Sequence, residues 1–255
     1  MKKTLCFVLA CLLSLTCFLP CEAAKAKPTA TPPPIEIPVE LCEPPEMIQQ
    51  VLDLAYSEWS TLNGKALKKA NKYTKWRTSS ASGFGWCGGF ITWCMLEVGI
   101  PMDVLDTVKK NGEGPIEGIY HVKEASVGKL LRGYQIVQRT GIMPQKGYLV
   151  VYGDGSGSNK TIHVGLLYDV EELGDGKYRL TTIEGNMSNR VKMYIHDYDM
   201  NAERKKNLSE VPKDEQTEEE STCFSYKLGG KKWYINRFLM PWLPEETENE
   251  TKPEE

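Results

Sequence analysis

Gly85-Trp86-Cys87-Gly88-Gly89-Phe90-Ile91-Thr92-Trp93-Cys94-Met95 reads as a loop that runs into a helix, with a cysteine at the junction. Phe90/Ile91, Cys94/Met95 and Val98 recur at the three-to-four spacing of a helix that buries one face, and Gly99 and Pro101 close it. Cys87 then occupies the first turn, where backbone N–H groups lack intrahelical partners and the helix dipole favours an anion. A thiolate is such an anion, so the placement lowers the cysteine pKa and makes a nucleophile. Gly88 and Gly89 each cost the helix about 1 kcal/mol relative to alanine. That cost makes sense where a substrate backbone or a sheet must approach the helix start closely. A buried structural cysteine in a glycine-rich loop fits the same residues.

Around this stretch the chain has 255 residues, 41% of them hydrophobic and 25% charged, which suits one globular domain with a core and tails. A net charge of −3 argues against nucleic acid as a partner, and no zinc-finger or basic-helix pattern appears. Cys6, Cys11, Cys17 and Cys21 fall in an N-terminal apolar segment. Of the others, Cys87 and Cys94 are seven apart with no histidine cluster nearby, so no metal site and no cofactor is expected. Cys94 shares the face of Cys87 two turns on and reads as a small core residue. Cys42 and Cys223 flank the core region and are available to bridge in an oxidising space, a connectivity that spacing leaves open.

Residues 1–24 read as a secretory signal, with Lys2 and Lys3 before the Leu5–Leu19 apolar run and Ala23-Ala24 as the exit. That run is short for a membrane span of ~20 residues, so no transmembrane segment is expected after cleavage. A lipidated start at Cys17 or Cys21 is the weaker alternative, because Thr16 and Pro20 suit it poorly. Residues 25–45 form a proline-rich extended spacer. Pro45 suits a helix start, followed by Met47/Ile48, Val51/Leu52, Ala55 and Trp59 at helical period. Lys65, Lys68, Lys69, Lys72, Lys75 and Arg77, interleaved with Tyr73 and Trp76, form either a solvated face or a basic lip that attracts an acidic polymer.

Helical pieces are expected near 103–109 and 126–131, and His121 between them reads as structural or exposed. From Gly147 the pattern turns to strands: Tyr148–Tyr152 as a buried strand, then a glycine-rich turn at 153–158. In Thr161–Tyr168, Ile162, Val164 and Leu166 face one way, while His163 and Gly165 face the other with room for a partner. A hairpin turn at 173–177 leads into Tyr178–Ile183, which ends in Glu184-Gly185-Asn186, so the polar pair shares a face. Residues 199–222 read as a charged, mobile insertion. Phe224–Phe238 returns to strand alternation, and 244–255 form an acidic, disordered tail that follows a domain spanning 46–243.

Nucleophilic cysteine chemistry needs a thiolate, a base and a group that holds the base. Cys87, His163 and Glu184 or Asn186 supply these from segments that only the fold brings together. Trp86–Cys94, His163-Val164-Gly165, Thr182–Asn186 and the preceding Asn71–Trp76 resemble, in order, the CHAP family of cysteine, histidine-dependent amidohydrolases/peptidases. The resemblance covers roughly Glu46 to Trp242. It departs at Gly88-Gly89, where small or alanine-rich pairs are commoner, and at Gly147-Tyr148, where the family usually has Gly-Asp. NlpC-type peptidases are the nearest rival, but they tend to carry Asp-Cys-Ser and lack the Glu-Gly-Asn strand end.

The resemblance implies an α+β, papain-like fold, with an antiparallel sheet packed against the helix that bears the nucleophile. It implies that Cys87 attacks, His163 acts as base and then acid, Glu184 orients the imidazole and Asn186 assists, with Trp86, Gly88 and Tyr73 at the substrate. It further implies hydrolysis of an amide bond in peptidoglycan by a secreted, wall-associated monomer, acting as an N-acetylmuramoyl-L-alanine amidase or a peptide endopeptidase. The competing readings are a catalytically silent relative that binds wall fragments or a partner, and a different thiol enzyme such as a host-directed protease or acyltransferase.

Overall fold

In the computed structural model the described residues are 40–80, 83–112, 118–154, 156–157, 160–216, 227–228 and 231–244. The expected signal, most of the spacer, residues 217–222 of the charged insertion, Cys223 and all but the first residue of the acidic tail lie outside them. The architecture is α+β: helices packed on an antiparallel sheet.

Helix α1 (Glu46–Leu62) begins after Pro45 and buries Ile48, Val51, Leu52 and Ala55, one stripe at helical spacing. Asn63 ends it in the left-handed conformation at φ 42°. The short α2 (Lys72–Lys75) is held by a capping box. Asn71 accepts the Tyr73 N–H, and Thr74 accepts the Asn71 N–H at 3.1 Å.

Helix α3 (Cys87–Val98) ends at Gly99, φ 86°, as its sequence predicts. The expectation that it buries a single face is corrected. Cys87 through Thr92, with Cys94 and Met95, are all buried, because α1, α2, α5 and the sheet surround the helix. A helix apolar on most sides is a central one.

After a short strand β1 (Met102–Asp103) come α4 (Leu105–Asn111), strand β2 (His121–Val122), parallel to β1, and α5 (Val127–Ile136). The strands β3 (Thr140–Gly141), β4 (Leu149–Gly153), β5 (His163–Gly174), β6 (Lys177–Glu184), β7 (Lys192–Asp199) and β8 (Leu208–Glu210) follow. A two-residue pair, β9 (Lys227–Leu228) and β10 (Lys231–Lys232), precedes β11 (Tyr234–Leu239).

The main sheet runs β3-β11-β4-β5-β6-β7-β8, antiparallel throughout. Its first half of β5 is buried on both faces, and its outer half is largely exposed. The β5–β6 turn uses positive φ at Gly174, Asp175 and Gly176. A bulge between Ile235 and Arg237 lets Ile235 and Phe238, three residues apart, both enter the core.

One place departs from sequence expectation, and another meets it. Where the charge run suggested mobile chain, Leu208–Glu210 forms the sheet edge on β7, and Arg179 pairs with Glu215 at 2.8 Å. At Gly147-Tyr148, Gly147 has φ 85° with no room for a side chain against Ile48, and Tyr148 is fully buried against Trp242, ring centroids 5.6 Å apart. The buried Tyr148 is what the apolar run at 148–152 predicts.

Candidate active site

Cys87 is the first residue of α3, His163 the first of β5 and Glu184 the last of β6. Strands β5 and β6 pair with Leu166 opposite Ile183, which places Gly165 beside Glu184 on the face that carries His163. A Cβ on Gly165 would lie 2.9 Å from Glu184 Cγ. The glycine next to the histidine therefore makes the room in which the carboxylate lies.

His163 Nε2 is 2.8 Å from Glu184 Oε2. The imidazole also interacts with the Cys87 sulfur, each group favouring the charged form of the other; with Nε2 beside the carboxylate, Nδ1 is the ring atom available to it. The backbone at Gly88 and Val164 also favours the charged sulfur.

Burial opposes charge on all three side chains, and their mutual attraction prevails. Burial alone would push the Cys87 thiol up, but the hydrogen bond and charge of His163, with the two backbone donors, hold it below its ordinary value. Burial alone would likewise lower His163; Glu184 and Cys87 raise it instead. Glu184, wholly buried, stays below the usual carboxylate range through His163 and Tyr152 despite its desolvation. The favoured state is a thiolate–imidazolium pair backed by a carboxylate. Cys94 shows the opposite: complete burial, then the nearby Glu58, push its thiol well up.

A second layer holds Glu184. Tyr152 and Thr182 donate hydroxyl hydrogens to its Oε1 at 2.8 and 2.9 Å. His196 lies behind, 3.5 Å from the Tyr152 hydroxyl, its pKa pushed down to about 4 by burial. Tyr152 faces His163 across β4 and β5, and its ring stacks on the imidazole at 5.9 Å between centroids. Half-buried Trp233 lies over the same imidazole at 5.2 Å, which lowers the local dielectric around the ion pair.

Sequence reading missed Tyr152, Thr182 and Trp233. Thr182 was legible, since a residue two before Glu184 in a strand shares its face. Nothing local marks the other two, whose roles come from strand pairing.

The remaining candidates land elsewhere. Asn186, φ 64°, sets its amide beside Gly85 in the loop before Cys87. Trp86 and Tyr73, expected at the substrate, are both fully buried. Their rings pack at 5.2 Å, Tyr73 also meets Phe90 and Trp93, and its hydroxyl donates to Glu58. They fix the cysteine loop to α2 and offer no surface.

Gly88 and Gly89 admit the chain itself. A Cβ on Gly88 would lie 2.4 Å from the Ala125 carbonyl oxygen, and one on Gly89 2.9 Å from that of Tyr73. His121 is structural: buried, neutral with a pKa pushed down to about 3, and bonded at 2.9 Å to Thr92 and to Tyr134. Cys87 keeps 9% of its surface exposed and His163 4%, so any opening to the sulfur is narrow.

Among the described residues no group of three side chains could hold a metal ion, and no helix is long and apolar enough to cross a membrane. Compared with protein-family models, curated proteins and solved structures, the chain matches none.

Proposed function

We propose that this chain is an exported cysteine hydrolase of papain-like fold that cleaves amide bonds in peptidoglycan, as its resemblance to the CHAP family implies. What carries the reading is the His163–Glu184 pair at 2.8 Å, with the imidazole interacting with Cys87 at the start of α3. A nucleophile, a proton carrier and an orienting anion in one chain of contacts are what amide hydrolysis by a thiol requires.

The Cys87 thiolate attacks the amide carbonyl carbon, and the oxygen takes up the charge. Backbone N–H groups of the first turn of α3, that of Cys87 foremost, are free of intrahelical partners and suit that oxyanion. As the C–N bond breaks, His163 Nδ1–H passes its proton to the leaving amine, leaving a thioester on Cys87. Neutral His163 then takes a proton from water, the hydroxide attacks the thioester, and the acid leaves as the thiolate and imidazolium are restored. Glu184 stabilises the imidazolium in both halves, and Tyr152 and Thr182 hold Glu184.

Digestion of isolated peptidoglycan tests this. The purified protein should release free amines without new reducing ends, and Cys87→Ala should release none. Reducing ends as the main product, or equal amine release by Cys87→Ala, would exclude it. Intact walls from several chemotypes that nevertheless retain the protein would mark a binding module.

A further inference from the structure

Beside the first turn of α3 lies a cavity of about 310 Å³ whose lining includes Trp76, Arg77, Lys109, Lys123 and Lys129. Asp106 and Glu124 complete its charge, so four cations face two carboxylates in a chain whose net charge is −3. The carboxylates are already engaged. Glu124 serves Arg77 and, at 3.6 Å, Lys129, and it also accepts the Ala125 and Ser126 N–H groups. Asp106 pairs with Lys109 at 3.1 Å. Half-buried Lys123 has no carboxylate partner among the described residues. Of the basic run at 65–77, Arg77 is the one cation that lines the cavity; Lys72 is held by Glu58 at 2.6 Å.

The walls are tied to the nucleophile's helix. Trp76 Nε1 donates to the Gly89 carbonyl at 3.2 Å, and the Arg77 guanidinium sits over Phe84, 5.7 Å from the ring centroid. Ala125 presses its carbonyl against Gly88. Thr92 of α3 donates to the Glu124 carbonyl at 2.7 Å and accepts the His121 Nε2–H at 2.9 Å, while Tyr134 donates to His121 Nδ1. The segment that carries Lys123 is therefore braced within one or two residues of Cys87.

We infer that this cavity is a binding subsite for an anionic oxygen group, a carboxylate or a phosphate, on the polymer whose amide bond reaches Cys87. The role as a substrate subsite rests on the hydrolase reading; the affinity for anions does not. Excess cations in a cleft attract and orient such a group, and a charge-assisted hydrogen bond to it is worth roughly tenfold in affinity. The aromatic wall of Trp76 accommodates the apolar part of the same residue.

Titrations of the full protein with succinate and, separately, with inorganic pyrophosphate, followed by amide NMR shifts, test the site directly. Saturable shifts at residues 77 and 123–125 are expected, weakened about tenfold by Lys123→Gln. Lys109→Ala, on the exposed face of α4, should weaken them as well. Which anion saturates at lower concentration identifies carboxylate or phosphate. No saturable shift with either, or shifts unchanged in both variants, would overturn the inference.

On wall fragments Lys123→Gln should raise KM about tenfold with kcat within about twofold. An unchanged KM in a protein that cleaves walls would overturn the subsite role while leaving the hydrolase reading intact. Anion binding by a protein that cleaves no wall would overturn the hydrolase reading, and the subsite role with it, while leaving the anion site standing.

Discussion

Glu184→Gln is expected to lower kcat by up to roughly 10⁴-fold with the fold retained, the scale on which an orienting carboxylate acts in a Ser-His-Asp triad. Glutamine keeps the shape that Gly165 accommodates and still accepts from Tyr152 and Thr182, whose hydroxyls lie 2.8 and 2.9 Å from Oε1. It removes the charge that outweighs the desolvation of His163. The imidazole then gives up its proton near neutral pH, and the Cys87 thiol regains one. Steady-state kinetics across pH checks this. Wild-type activity falls on the acid side as the thiolate is protonated, below the ordinary thiol value, and on the alkaline side as the imidazolium is lost, above the ordinary histidine value. Glu184→Gln should bring the two limbs together. A variant with wild-type kcat would remove Glu184 from the mechanism.

Gly88→Ala carries the second large effect, on stability as well as rate. The new methyl would meet the Ala125 carbonyl oxygen at 2.4 Å and Leu130 Cδ1 at 3.0 Å. A backbone carbonyl cannot turn aside as a flexible side chain can, so the 120–125 segment must shift. Overpacking of this kind costs about 1–3 kcal/mol, a fall in Tm of roughly 5 °C for a domain of this size. Activity falls with it, because Gly88 follows Cys87 in the first turn of α3 and its displacement moves the nucleophile. Gly85→Ala is the control: its methyl would sit 3.7 Å from the Asn186 amide, an ordinary contact, and Tm should hold. Equal melting of Gly88→Ala and wild type in calorimetry would contradict the packing account.

These two residues also show what a single sequence can reveal. The cysteine at a helix start, the histidine and glycine alternating on a strand, and the glutamate ending the next strand were all legible. Each depends on local periodicity, which the chain keeps: α3 ends at Gly99, and β5 and β6 carry His163 and Glu184 as alternation requires. What approaches the first-turn glycines was not legible, because the Ala125 and Tyr73 carbonyls arrive from elsewhere in the chain. Trp86 and Tyr73 were expected at the substrate for a related reason. An aromatic beside a nucleophile looks the same in a groove as in a core until α1 and α2 are packed over it. Strand β7 escaped notice because the residues that follow Glu184-Gly185-Asn186 suggest no clean two-residue period. Tyr152 and Trp233 could not be assigned, since their contact with His163 exists only once β4 pairs with β5 and β11 with β4.

The account rests on a Cys87 thiolate held by a His163 imidazolium, and ultraviolet absorbance of the thiolate, taken as wild type minus Cys87→Ala across pH, measures that state itself. The predicted curve keeps thiolate absorbance below the ordinary thiol pKa of about 8.5 and loses it in a single step at lower pH. Absorbance that appears only as the pH rises to about that value would contradict it.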